Sequence, residues 1–187
     1  MELQAAISNR RSVRSYTTTN VDRSTIEKLL QAASQAPSAM NSQPWAYAVI
    51  QDAALLKSFS DRSKQFLLTL LDQVPKLNKY KPALENPEFN IFYNAQSLIL
   101  IFAKSHDPQH YEDCCLAAQN LMLTAHSMNL GTCWIGFARP FLNLPAVKKE
   151  LAIPEGFAAV APIIVGYPQV TKPPAIPKKS PEILFWK

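Results

Sequence analysis

The stretch from Cys114 to Met128 constrains this chain more than any other. Cys114, Ala118, Leu121, Ala125 and Met128 recur at four- and three-residue intervals, the spacing that lines one face of an α-helix. Gly131 follows where a helix C-terminus favours a left-handed residue. A helix with an apolar stripe has to bury it against a second layer. Two short runs offer that layer: Ser97–Ala103, "SLILIFA", and Phe157–Gly166 are apolar, rich in branched residues, and far too short to span a membrane. A long helix beside short buried strands predicts a mixed helix-and-sheet protein.

The remaining elements fit that class. Leu3, Ala6 and Ile7 suit a short amphipathic helix ending near Asn9. Ser24 and Glu27 form a capping box ahead of Ile26, Leu29, Leu30 and Ala33, and this helix stops before Pro37. Trp45–Ile50 reads as a strand, Asp52 caps a helix running through Leu71, and Pro145–Leu151 reads as a short helix opened by its proline. "TCWIG", residues 132–136, is a strand end or tight loop. Residues 72–90 hold three prolines and no period, which predicts an irregular excursion inside a variable lid or insertion at about 60–95. The last twenty residues carry five prolines and then Ile183, Leu184, Phe185 and Trp186. They predict an extended arm over 169–187 that crosses a surface and docks its apolar end. Helices and strands interleave irregularly, with too few strands for a barrel, so the expected class is α+β in one domain over 1–187.

Composition narrows the partners. Hydrophobic residues make up 48% and charged residues 18% of the 187, few charges for a fully exposed surface, which points to an oligomer. The net charge of +5 suits an anionic ligand, but there is no basic run interleaved with aromatics, so a nucleic-acid surface is not expected. Cys114, Cys115 and Cys133 match neither a disulfide framework nor a zinc knuckle, and the polar start is no secretory leader, so a cytoplasmic protein without a membrane span is expected. Cys114 and Cys115 are expected as buried helical cysteines. Pro108 between His106 and His110 argues against a helix that would align them, and Asp107, Glu112 and Asp113 read as turn and first-turn residues, so no metal site is expected.

Two polar segments carry the chemistry. In "NRRSVRSY", residues 9–16, Arg10, Ser12 and Arg14 at alternating positions of an extended segment point donors to one side, where guanidiniums bind phosphate in a bidentate way. In "APSAMNSQPW", residues 36–45, Ser38, Asn41 and Gln43 supply donors and acceptors while Pro37 and Pro44 restrict the loop.

Together these segments resemble the nitroreductase family of flavoproteins, in which an RRSxR element is followed about 25 residues later by APSxxNxQPW. "AAQNLMLTAHSMNLGTCWIG" at 117–136, "GFAAVAPIIVGYP" at 156–168 and the closing "PKKSPEILFWK" resemble that family's later segments in the same order. The resemblance implies a nitroreductase-like α+β fold: a central, mostly antiparallel sheet flanked by helices, with the C-terminal tail exchanged across a homodimer that binds FMN at its interface. It implies that Arg10, Arg11, Ser12 and Arg14 hold the phosphate and ribityl end, with Lys178 or Lys179 adding charge. Pro37, Ser38, Ala39, Asn41 and Gln43 would come from the other subunit. Trp134, Ile135 and Gly136 would lie against the flavin ring, with the Ile135 amide facing flavin N5; Asn90 and Asn94 are further candidates. No catalytic acid or base is expected, because the flavin does the chemistry.

The implied activity is an FMN-dependent NAD(P)H oxidoreductase reducing electron-poor acceptors such as nitroaromatics or quinones in two hydride-transfer steps. The alternatives are a narrower flavoenzyme of the same fold (an enoyl or pteridine reductase, a dehalogenase or a flavin-fragmenting enzyme) and a non-redox module binding phosphorylated ligands or nucleic acid.

Overall fold

In a computed structural model, which describes residues 1–170 and 177–187, four strands form one sheet in the order β1-β2-β4-β3. The strands are β1 (Trp45–Ile50), β2 (Ser97–Ala103), β3 (Gly131–Trp134) and β4 (Ala158–Gly166). All three pairings are antiparallel. The two apolar runs of the sequence supply the central pair, and every residue of β2 and β4 is buried. Pro162, which brings no N–H to a ladder, stands in β4 opposite Leu100, next to a register irregularity in β2 between Ile101 and Phe102.

Both faces of the sheet are covered because side chains alternate along β2. Ile99, Ile101 and Ala103 face a layer made by α2 (Arg23–Ser34) and α5 (Pro108–Ser127). Leu98, Leu100 and Phe102 face α3 (Ala53–Leu68), α6 (Ala138–Leu142) and α7 (Pro145–Glu150). The side of α5 turned inward carries Cys114, Ala117, Ala118, Leu121 and Ala125, all fully buried and mostly small. Burial pushes the Cys114 thiol up to about 12, so it stays protonated and behaves as a small apolar residue. Cys115, expected to be buried, is exposed: its neighbour takes the inward position, and consecutive helical residues face different directions.

Helix ends show where local signals competed. The cap of α2 is Asp22, not the box built on Ser24: its carboxylate accepts from the Thr25 amide and from the hydroxyls of Ser24 and Thr25. These bonds hold the Asp22 carboxyl below the usual carboxylate range. Glu27 pairs with Arg23 instead of reaching back to the cap. Asp52 does cap α3, accepting from the Leu55 amide, and α3 ends at Leu68. The left-handed residue after α5 is Asn129, with φ of 61°, while Gly131 is the first residue of β3.

Residues 72–90 are more ordered than their prolines suggest. Pro75–Tyr80 forms a 3₁₀ turn that runs into the short helix α4 (Lys81–Glu85), where Leu84 is buried. The buried Lys64 ammonium holds the end of this excursion, donating to the carbonyls of Asn86 at 3.0 Å and Phe89 at 2.7 Å. The Ser60 hydroxyl accepts from the Ile91 amide. Residues 177–187 form no helix or strand, and Leu184, Phe185 and Trp186 are exposed, so the apolar end is not docked on its own chain. Part of the expected arm, 171–176, lies outside the described residues. Among the described residues no helix is long and apolar enough to cross a membrane.

The first helix, α1 (Leu3–Asn9), delivers an extended segment to the free edge of β3. Ser12 bridges Thr132 in parallel, the Val13 amide donates to the Thr132 carbonyl at 2.9 Å, and Tyr16 bridges Pro168 beyond β4. The approach is close enough to require glycine: a Cβ on Gly131 would lie 2.8 Å from Val13, and one on Gly166 would lie 2.9 Å from the Tyr16 ring. Gly131→Ala is expected to lower stability by about 1–3 kcal/mol through this overlap. Adding Val13→Ala should recover part of the loss, which urea unfolding midpoints of the single and double variants will show.

Candidate functional site

The edge segment carries the first motif along β3, with Ser12 bridging Thr132. Cys133, buried in β3, has its thiol raised by burial, opposed by the Arg14 charge, and its Sγ donates to the Trp134 carbonyl at 3.8 Å. Ser12 and Arg14 are exposed and Arg10 is half-buried on this segment. Among the described residues none of the three arginines forms an ion pair with a carboxylate. The Arg14 guanidinium stands over the Tyr93 ring, 5.9 Å from its centroid.

Arg11 points elsewhere. Its Nη1 donates to the carbonyls of Ser8 at 2.7 Å and Arg10 at 2.9 Å, so the guanidinium closes the C-terminal end of α1. On this side lies His126 in the last turn of α5, its imidazole pKa lowered by burial and by the charges of Arg10 and Arg11.

The second motif is a rigid and strained loop. Met40, Asn41 and Gln43 have φ of 51°, 54° and 46°, a left-handed region that costs non-glycine residues energy. Hydrogen bonds hold it there: the Gln43 amide donates to the Ser38 hydroxyl, the Gln43 side chain to Asn41 Oδ1, and the Asn41 amide to the Ser38 carbonyl. Pro37, Asn41 and Gln43 are exposed, Ser38 and Ala39 half-buried, and Met40 is 98% exposed at the loop tip.

Sequence reasoning missed the residue under this loop. Asp113, buried on α5 and read as a first-turn helix residue, accepts from the Ala39 amide through Oδ1 at 3.2 Å; Oδ2 is buried with no partner among the described residues. Its signal was an acid on the inward side of an otherwise apolar stripe. Asp113 and His126 are 13 residues apart on α5, about 20 Å along a helix axis at about 1.5 Å per residue. The two motifs thus sit toward opposite ends of the same helix, and one chain does not bring them together.

The third segment runs off the end of β3. Trp134 is half-buried, Ile135 buried and Gly136 exposed. The Ile135 amide, expected to face a ligand, instead donates to the Pro162 carbonyl at 2.8 Å, extending the ladder one residue past the strand. The Gly136 amide makes no hydrogen bond among the described residues, and a Cβ at Gly136 would meet nothing within 4 Å. The open donor of this loop is therefore Gly136, one residue beyond the expected one.

Asn90 and Asn94 bond one another, Nδ2 to Oδ1 at 3.0 Å, and Asn90 also accepts from the Phe92 amide. Both line a cavity of about 130 Å³ with Leu56, Lys57, Phe92 and Gln96. That is small beside the roughly 300 Å³ at which ligand pockets begin. Lys178 and Lys179 are exposed in the tail. His106 and His110 bond Tyr111 and Ser105, with Pro108 opening α5 between them. Among the described residues no cluster of three metal-ligating side chains occurs.

The fold is an antiparallel α+β sheet whose β3 edge carries the arginine-bearing segment. The profile of the nitroreductase family matches residues 7–167. The chain belongs to the nitroreductase family. It is 28% identical over 166 residues to a putative NADH dehydrogenase/NAD(P)H nitroreductase of Archaeoglobus fulgidus, covering 89% of this chain and 85% of that protein. The crystal structure of a nitroreductase with bound FMN from Desulfitobacterium hafniense matches with a TM-score of 0.82 at 25% identity, covering 98% of this chain and 99% of that one. A nitroreductase with bound FMN from Bacteroides fragilis shares the fold at a TM-score of 0.83 and 21% identity, over 99% of this chain and 100% of that one.

Asp113→Ala is expected to speed hydrogen exchange at the Ala39 amide and to cost about 1–2 kcal/mol, because the strained loop loses its buried acceptor. Asp113→Asn keeps an acceptor for that amide and should lose less. Exchange read by mass spectrometry on both variants checks this.

Proposed function

We propose that this protein is an FMN-dependent NAD(P)H oxidoreductase acting as a homodimer on electron-poor small molecules such as nitroaromatics or quinones. The observation that carries the reading is that the segment bearing Arg10, Ser12 and Arg14 is bridged to the edge of β3 at Thr132, with no carboxylate partner for its arginines and no hydrogen bond at the Gly136 amide among the described residues. The residues present fit FMN: guanidiniums without carboxylate partners suit a dianionic phosphate, a polar strained loop suits a heteroaromatic edge, and an exposed amide suits a ring nitrogen. Bound FMN would supply the redox chemistry, taking hydride from NAD(P)H in one half-reaction and passing reducing equivalents to the acceptor in the next.

What the chain itself does is bind, orient and donate. Arg10, Ser12 and Arg14 hold the phosphate and ribityl end, and Arg11 supports them by fixing the end of α1. Lys178 or Lys179 adds charge from the tail. Trp134, Ile135 and Gly136 form the wall against the ring, with Gly136 as its backbone donor. The loop of Pro37, Ser38, Ala39, Asn41 and Gln43 serves the flavin of the partner subunit, a role supported by its separation along α5 from the arginines of its own chain. A second chain also accounts for the exposed Leu3, Ile7, Met40 and Leu116 and for the tail end at Leu184, Phe185 and Trp186, which exchange across the dimer would cover.

Purified protein is expected to be yellow, with FMN released on denaturation and hydrodynamic behaviour of a dimer. Colourless protein that takes up no FMN on incubation would overturn the proposal. Arg10→Ala and Arg14→Ala should each raise the FMN dissociation constant about tenfold or more, from the loss of one charge-assisted contact, as measured by flavin fluorescence quenching.

A further inference from the structure

We propose that Tyr93 is a positioning residue for the cofactor's phosphate: its ring holds the Arg14 guanidinium in place without neutralising it. This rests on the flavoenzyme reading above and names a residue which that reading leaves out. The Arg14 guanidinium lies 5.9 Å from the Tyr93 ring centroid, and among the described residues neither Arg10 nor Arg11 lies over a ring. Arg62 also lies over rings, those of Phe59 and Phe141, but its fork is committed to Glu150 through bonds of 3.0 and 2.8 Å. A carboxylate in the place of Tyr93 would pin Arg14 firmly, yet it would compete with a phosphate for the same N–H groups. A ring face attracts the cation through its quadrupole and brings no charge to occupy that fork.

The backbone beneath the ring is costly. Tyr93 has φ of 52° and Asn94 of 55°, a left-handed region that is an outlier for a bulky aromatic residue. Surrounding bonds over-determine it. The Tyr93 amide donates to the Asn90 carbonyl at 2.9 Å, the Asn90 side chain to Asn94 Oδ1 at 3.0 Å, and the Gln96 side chain to the Asn94 carbonyl at 3.0 Å. Phe89 meets the Tyr93 ring edge-to-face, with centroids 5.8 Å apart and planes at 78°, and the Phe89 carbonyl is held by the buried Lys64 ammonium. Asn90 and Asn94 thus tie the turn together, and what the turn presents to the arginine segment is the Tyr93 ring.

The test equilibrates the flavin-loaded, full-length protein with mixtures of FMN and riboflavin, which differ only in the phosphate, and quantifies the bound flavins by chromatography. The parent is expected to select FMN. Tyr93→Leu should lower that selectivity about threefold, and Tyr93→Phe, which keeps the ring, should retain the parent value. In an Arg14→Ala background, Tyr93→Leu should lower selectivity no further, because the ring acts through that guanidinium. If Tyr93→Leu does not fold, Tyr93→Met, unbranched and without a ring, carries the same expectation. Equal weakening of both flavins would mark a merely structural role and overturn the inference. So would a loss in Tyr93→Phe as large as in Tyr93→Leu, or a loss that persists undiminished without Arg14. Protein that holds neither flavin overturns the reading beneath it; flavin-loaded protein whose selectivity ignores Tyr93→Leu overturns this inference alone.

Discussion

The site depends on how closely Val13 approaches Gly131. Without a Cβ at Gly131 the edge of β3 accepts a neighbouring segment in van der Waals contact, and the ladder bond from Val13 to Thr132 forms at normal length. Gly166 admits the Tyr16 ring in the same way three residues later, and the Tyr16 hydroxyl returns to the Val13 carbonyl at 2.6 Å. Together these contacts fix residues 12–17 against a strand whose edge would otherwise be open to other chains. Val13 and Tyr16 pack against the hydrophobic core while Ser12 and Arg14 stay exposed, so the segment is anchored by packing.

Helix α5 is the second constraint. Its small inward residues let it lie close on the sheet, and it acts as a rod between the strained loop near Asp113 and the arginine segment near His126. Left-handed φ at three residues of four is costly backbone, tolerable only where surrounding bonds over-determine it. Ser38, Asn41, Gln43 and the buried Asp113 carboxylate provide those bonds. The separation of the motifs and the exposed Met40 belong together: what the loop presents faces away from its own chain.

Much of the fold was legible because periodicity reports burial directly. The apolar runs became β2 and β4, the stripe at 114–125 became α5, and Asp52 caps α3 as its position suggested. Signals of similar local strength were harder to rank. Asp22 and Ser24 both resemble a cap, and the carboxylate prevails by accepting three bonds. Gly131 resembled a helix terminator, but its lack of a side chain serves a contact with residue 13, far away in the sequence. The prolines at 75 and 82 predicted irregular chain, yet proline fits the first turn of a helix, and the burial of Leu84 and the bonds from Lys64 hold that turn in place.

The sequence by itself determined the α+β class, the family, and the strands and helices of the core, because these rest on residue type and short-range spacing. The tertiary structure alone decided which donors are free. It directed Arg11 onto the end of α1 and tied the Ile135 amide to Pro162, which leaves the Gly136 amide open. It also put Asp113 beneath the loop and set the Arg14 guanidinium over the Tyr93 ring. A hydrogen bond or a ring contact between residues distant in the chain depends on the register of the sheet and the packing of its layers, and no local spacing encodes either.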